Sequence, residues 1–270
     1  MAKKSSEDGY YHMMHCASPH SRRGADVFIT GTDTDIGKTY VSVTLLQALR
    51  AQGRTAIGMK PIASGCTVTA NGLRNEDALA LQAACDPRPD YAEINPIALR
   101  TPVSPHLAAT IEATRIELSP IHQAFTALQA RAQHVIVEGV GGWLAPLRED
   151  LSVADLVRSM DLPVILVVGL RLGCLNHALL SVRAILADGG TLLGWIGNAV
   201  DPAMRAREGN LDTLRHLLPV PCLGVLKHQP DSFRQISALD AAVLSIPPSS
   251  PTPTDSRPET AHDHVSTTNR

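Results

Sequence analysis

Lys38 and Thr39 close the run Gly31-Thr32-Asp33-Thr34-Asp35-Ile36-Gly37-Lys38-Thr39, whose residue types can together hold a triphosphate. The lysine supplies a point charge for the outer phosphates, the threonine hydroxyl can ligate Mg²⁺, and a glycine-bearing turn lets backbone N–H groups face an anion. The flanks match this chemistry. Val27, Phe28 and Ile29 read as a strand ahead of the loop, and Val41, Leu45, Ala48 and Leu49 give helical spacing behind it. Gly31 precedes Gly37 by six positions, one more than in G-x-x-x-x-G-K-[ST], so Thr32 stands where the first glycine normally would.

Glu138 ends the mostly apolar stretch His134 to Val137 and leads into Gly139-Val140-Gly141-Gly142-Trp143. A carboxylate ending a buried strand beside a phosphate loop can reach Mg²⁺ or its waters. A surface glutamate is the plain alternative, and the glycine-rich turn favours the first reading. Lys60, held extended by Pro61, is aimed past another strand end, with Ser64 and Gly65 in the same loop. It could neutralise a transferring phosphoryl group or an anionic substrate, or it could be a solvated lysine; position alone leaves the two even. Asp77 follows Asn75, a candidate N-cap, and by itself reads as a first-turn acid that stabilises its helix by about 0.3–1 kcal/mol. Gly173-Cys174-Leu175-Asn176-His177 opens a further helix whose N–H groups suit a carboxylate or phosphate. Cys174 and His177 could act as nucleophile and base, but no third orienting group is evident.

These residues need a frame, and the apolar pattern supplies one. Buried strands are expected at 55–60, 135–138, 164–168, 193–198 and 222–226, and helices near 75–85, 119–133, 152–160, 176–188 and 203–217. The alternation predicts an α/β fold: a single-domain, mostly parallel, doubly wound sheet with helices on both faces, which the Gly31–Thr39 loop pattern after the first strand makes one of P-loop NTPase type. Ligands in such sheets sit beyond the carboxyl ends of strands, where Lys60, Glu138 and Asn198 end their runs. The expected domain is 25–246, between polar tails at 1–24 and 247–270. His12, His15, Cys16 and His20 fall in the first tail and read as unstructured residues rather than a metal cluster.

Composition narrows the function classes. The formal net charge is −2 with no basic stripe, which argues against a nucleic-acid surface. No apolar run reaches about 18 residues, so no membrane span is expected. The N-terminal stretch lacks the apolar segment of a secretory signal, and five dispersed cysteines suit a reducing cytoplasm.

Taken in order, these segments resemble the dethiobiotin synthetase family. The resemblance runs through Gly31–Thr39, whose longer loop the family shares, then Lys60-Pro-Ile-Ala-Ser-Gly65, Gly72-Leu-Arg-Asn-Glu-Asp77, Thr101-Pro-Val-Ser-Pro-His106 and Val137-Glu-Gly-Val-Gly-Gly-Trp143. It continues through Leu162–Gly169, Leu172-Gly-Cys-Leu-Asn-His177 and Gly194-Trp-Ile-Gly-Asn198. It implies an ATP-dependent cyclo-ligase that joins diaminopelargonate and CO₂ into dethiobiotin. On that resemblance ATP would lie against Asp35, Ile36, Gly37, Lys38, Thr39, Tyr40, Asp77, Glu138, Gly139, Val140, Gly141 and Asn198, the last reading the adenine edge. Lys38 and Lys60 would be catalytic, and Thr39, Asp77 and Glu138 would hold Mg²⁺, which replaces the purely structural reading of Asp77. Thr34 and Ser64 would meet the diamine, and Gly173, Cys174 and Asn176 its carboxylate, supplied across a homodimer interface. Some positions depart from the family pattern: Asp35 stands for a more usual Glu, Ala199 for Asp, and Lys227-His228-Gln229 for a proline-containing segment.

A nucleotide switch, either a small GTPase or a partition-type ATPase, is the rival. Asn198-Ala199-Val200-Asp201 lacks the lysine of the guanine-reading Asn-Lys-x-Asp element, and Gly31, Thr32 and Asp33 occupy the place of the partition ATPases' extra lysine.

Overall fold

The structure is a computed structural model that describes residues 26–227. The expected tails at 1–24 and 247–270, the histidine-rich group at 12–20 and the stretch 228–246 lie outside the described residues.

Among the described residues, six strands form the central sheet: β1 (Val27–Gly31), β2 (Ala56–Met59), β3 (His134–Glu138), β4 (Val164–Gly169), β5 (Leu192–Asn198) and β6 (Cys222–Leu226). All neighbours pair in parallel, in the order β2-β3-β1-β4-β5-β6. These are the strands the apolar runs predict. Every residue of β1, β3 and β4 is buried, which is why their sequences do not alternate.

Among the described residues, eight helices accompany the sheet: α1 (Lys38–Ala51), α2 (Glu76–Ala84), α3 (Tyr91–Ile94), α4 (Pro105–Ile111), α5 (Leu118–Gln129), α6 (Val153–Met160), α7 (Cys174–Ala187) and α8 (Arg207–Leu217). Two boundaries differ from the sequence reading by four residues, the others by at most two. α5 stops at Gln129 rather than 133, because the chain is drawn toward β2, where Gln133 N–H donates to Thr55 Oγ1 at 2.9 Å. α8 starts at Arg207 rather than 203, because Ala206 takes a left-handed φ of 51°. α3 and α4, of four and seven residues, are too short for a helical period to show in sequence.

The strand order fixes where a ligand can sit. From β1 the chain crosses through α1 past β3 to β2, whereas β3→β4 and β4→β5 step the other way. Right-handed connections therefore put α1 and α7 on opposite faces of the sheet. β1 lies between β3 and β4, so the order reverses at its carboxyl end, the switch point where such sheets open a crevice. The Gly31–Thr39 loop leaves the sheet at that end.

Candidate functional site

The loop reaches α1 through two left-handed residues, Asp35 at φ 55° and Gly37 at φ 82°. Gly37 caps α1 with no side-chain hydrogen bond, so the first N–H groups of the helix are offered to a ligand. A side chain there would be strained. The left-handed backbone disfavours a side chain, and a Cβ would run into Asn198 Nδ2, which also donates to Ile36 O at 2.8 Å. Asn198, at the end of β5, thus braces the loop from behind. Lys38 Nζ donates to Asp33 O at 2.7 Å. Burial, and then the charge of Lys60, pull the Lys38 ammonium down to about 8, against the opposing pull of Glu138 and Asp77.

Register builds the other half of the site. Met59 of β2 pairs with Val137 of β3, so the next residues, Lys60 and Glu138, emerge side by side. Lys60 Nζ lies 2.6 Å from Glu138 Oε1, 3.0 Å from Asp77 Oδ2 and 3.4 Å from Gly139 O. Thr39 Oγ1 donates to the same Glu138 Oε1 at 2.8 Å. Burial on its own would lower the Lys60 ammonium, but Glu138 and Asp77 outweigh it and hold the group above the ordinary lysine value. Burial likewise works to raise Asp77, yet the charge of Lys60 beside it and the hydrogen bond from Lys60 keep it below the usual carboxylate range. Asn75 places Asp77: its side chain caps α2 by accepting from Ala78 N at 3.2 Å. Asp77 is thus both a first-turn acid of α2 and a partner of Lys60.

A cavity of about 550 Å³ opens between these groups. Thr34, Asp35, Gly37, Lys38, Thr39, Tyr40, Lys60, Ser64, Asp77, Glu138, Val140 and Gly141 line it, joined by Ala63 and Asn75, which sequence reasoning did not assign to the site. Ile36, Gly139 and Asn198 stand outside the lining. Gly139 packs against β1 so closely that a Cβ would come within 2.8 Å of the Phe28 ring.

Glu138 Oε2 is buried without a hydrogen-bond partner, an arrangement that suits a cation ligand. Among the described residues no group of three or more His, Cys, Asp or Glu is placed to hold a metal. Thr39, Asp77 and Glu138 instead offer two carboxylates and a hydroxyl, a sparse shell that fits Mg²⁺ when waters and phosphate oxygens complete it.

Gly173, Cys174 and Asn176 lie apart from this cavity, at the head of α7. Gly173 is left-handed at φ 95° and caps the helix without a side-chain bond. Cys174 is buried and its N–H already donates to Arg171 O at 3.0 Å, whereas Asn176 and His177 are exposed. No hydrogen bond joins Cys174 to His177, so the pair is not arranged as nucleophile and base. Arg171 forms an ion pair with Asp33, tying the phosphate loop to the segment before α7. These residues are 138 positions apart, a contact that only the fold reveals.

A family model described as an AAA domain matches residues 25–235. The chain is 57% identical over 220 residues to a protein named ATP-dependent dethiobiotin synthetase BioD from Xanthomonas oryzae pv. oryzae (strain PXO99A), covering 82% of this chain and 97% of that one. It is 56% identical over 203 residues to the protein of the same name from Xylella fastidiosa (strain 9a5c), covering 75% and 90%. Among solved structures, a ParA family ATPase from Chlorobium tepidum TLS aligns with a TM-score of 0.47 at 13% identity, over 83% of this chain and 91% of that one.

Proposed function

The chain belongs to the ATP-dependent dethiobiotin synthetase family and is a ligase of biotin synthesis, and from that premise we propose how its residues carry the reaction. The observation that supports the reading most is the convergence of Lys60, Asp77, Glu138 and Thr39 at one end of the cavity that the Lys38 loop walls. Phosphoryl transfer asks a protein for positioning and charge stabilisation more than for covalent help, and this site is built from charge and backbone dipoles.

One amine of diaminopelargonate takes up CO₂ as a carbamate and loses a proton. A carbamate oxygen attacks the γ-phosphorus of ATP, giving a carbamic–phosphoric anhydride and ADP. The second amine attacks the anhydride carbon, phosphate leaves, and the cyclic urea of dethiobiotin closes. Lys38 and the N–H groups at the head of α1 hold the outer phosphates. Lys60 neutralises charge on the carbamate and on the transferring group. Thr34 and Ser64 position the diamine, and Asn198, its Nδ2 engaged by Ile36 O, presents Oδ1 to the adenine amine.

Thr39, Asp77 and Glu138 would hold Mg²⁺, which when bound would screen the charge of the β- and γ-phosphate oxygens. Gly173, Cys174 and Asn176 would receive the diamine carboxylate at the head of α7 of a second protomer, which makes the competent unit a homodimer. Their separation from the cavity within one chain, and Leu172 standing 93% exposed beside them, support that assignment.

The test is substrate dependence. Purified protein with Mg-ATP and bicarbonate should release phosphate only when diaminopelargonate is added, with one dethiobiotin formed per phosphate. Slow nucleotide hydrolysis indifferent to the diamine would instead favour a nucleotide switch.

A further inference from the structure

We propose that Lys60 is a built-in cation that occupies the metal position of the resting site, and that it must be displaced when the metal–nucleotide complex binds. The proposal rests on the reading of Thr39, Asp77 and Glu138 as the metal shell, and it assigns Lys60 a role before any phosphoryl transfer.

The geometry is specific. Lys60 Nζ sits between the two carboxylates, 2.6 Å from Glu138 Oε1 and 3.0 Å from Asp77 Oδ2. The third member of the shell, Thr39 Oγ1, spends its hydrogen on Glu138 Oε1 at 2.8 Å. The ammonium thus occupies one oxygen of each carboxylate, and it does so in a place that is almost wholly buried, with Lys60 only 4% exposed. Two cations cannot share one buried carboxylate oxygen without strong repulsion, because screening there is weak.

Three consequences follow from charge alone. A divalent ion arriving by itself meets an ammonium already seated, so the free protein holds it weakly. An ion arriving on a nucleotide brings phosphate oxygens that can accept Lys60 as it leaves, so metal and nucleotide load together. The same exchange releases the Lys60 ammonium toward the γ-phosphate and the carbamate, so it is presented only to a loaded site. Glu138 Oε2, buried with no partner, gives the incoming ion one oxygen to bind before any existing contact breaks.

Mn²⁺ is the probe, titrated into nucleotide-free protein and followed by the electron paramagnetic resonance of the free ion. Lys60→Met should bind Mn²⁺ at least about tenfold more tightly than wild type, a difference of roughly 1.4 kcal/mol. Equal or weaker binding by a folded Lys60→Met overturns the proposal. Because removing one partner of a buried pair can unfold a protein, a second measurement uses wild type alone. The side-chain ¹H–¹⁵N signal of Lys60, assigned through Lys60→Arg, should stay in place with Mg²⁺ and shift with Mg²⁺ plus a non-hydrolysable ATP analogue. A signal that moves with Mg²⁺ alone, or that the analogue complex leaves unmoved, also overturns it. Dethiobiotin formation by wild type is measured in parallel. If it persists while either metal result fails, the displacement is wrong and the synthetase reading stands; if it is absent while both succeed, the reverse holds.

Discussion

Lys60 and Glu138 meet at 2.6 Å because they follow Met59 and Val137, which face each other across neighbouring parallel strands. The ion pair is therefore written into the register of the sheet rather than into a mobile loop. Lys60 is 4% exposed and Glu138 fully buried, so neither charge can fall back on water.

Glu138→Gln should consequently cost stability as well as activity. It leaves Lys60 with Asp77 as its only carboxylate, and breaking a buried pair from one side costs about 3–5 kcal/mol. The remaining Asp77 contact should hold the loss toward the lower end. Denaturant unfolding checks the magnitude; a stability unchanged from wild type would show that the pair is not formed in solution.

The phosphate loop makes a separate expectation for Gly37→Ala. A left-handed backbone at φ 82° and the collision of any Cβ with Asn198 Nδ2 both oppose the substitution. Strain of about 1–2 kcal/mol and a displaced Ile36–Gly37 peptide should weaken nucleotide binding by about 10²-fold or more, since the donors facing the phosphates move. Calorimetric titration with an ATP analogue decides it, and near-normal affinity would mean the loop does not hold phosphate in this conformation.

Much of this was legible in the sequence, and for identifiable reasons. The strands could be read because buried parallel strands are continuous apolar runs, and Lys60 and Glu138 because each is the polar residue that stops such a run. α3 and α4 were not readable, since fewer than three turns leave no period to detect. Asn75 was recognisable as a cap but not as a cavity residue, because capping is local and the cavity is not. The Asp33–Arg171 ion pair and the brace from Asn198 to Ile36 depend on β1 lying beside β4 and β4 beside β5, which no local pattern encodes.

Lys38 gives the site a pH dependence with a definite sign. Its folded-state value is lowered from 10.5 to about 8, so the free protein loses this proton as pH rises through 8. Phosphate beside it favours the protonated form. Nucleotide binding at pH 8.5–9 should therefore take up protons, visible as a binding heat that varies with the ionisation enthalpy of the buffer, and affinity should fall above pH 8. For stability the sign is the reverse of a paired lysine. Below about 8 both states are protonated and burial of the charge is felt in full; that cost fades as pH climbs from about 8 toward 10.5. Buffer-independent heats would count against a buried, depressed Lys38.

The assignment of the α7 head can be tested by complementation between protomers. Asn176→Ala should raise KM for the diamine several-fold while leaving KM for ATP near wild type. A more damaging substitution at Gly173, such as Gly173→Val, and Lys38→Ala should each be close to inactive alone. Mixed and re-equilibrated, they should recover about a quarter of wild-type activity, because about half of the dimers are hybrid and each hybrid has one intact site. No recovery from a mixture shown to exchange subunits would place the α7 head and the phosphate loop of one chain in the same site.

The most direct measurement of the central claim is dethiobiotin formation by the purified wild-type chain, with and without diaminopelargonate, at fixed bicarbonate and Mg-ATP. Phosphate and dethiobiotin appearing together, one for one, only with the diamine, and falling by at least about 10²-fold in Lys60→Met or Lys38→Ala, is the expected result. A well-folded protein that binds nucleotide yet makes no dethiobiotin, or that hydrolyses ATP equally well without the diamine, would contradict it.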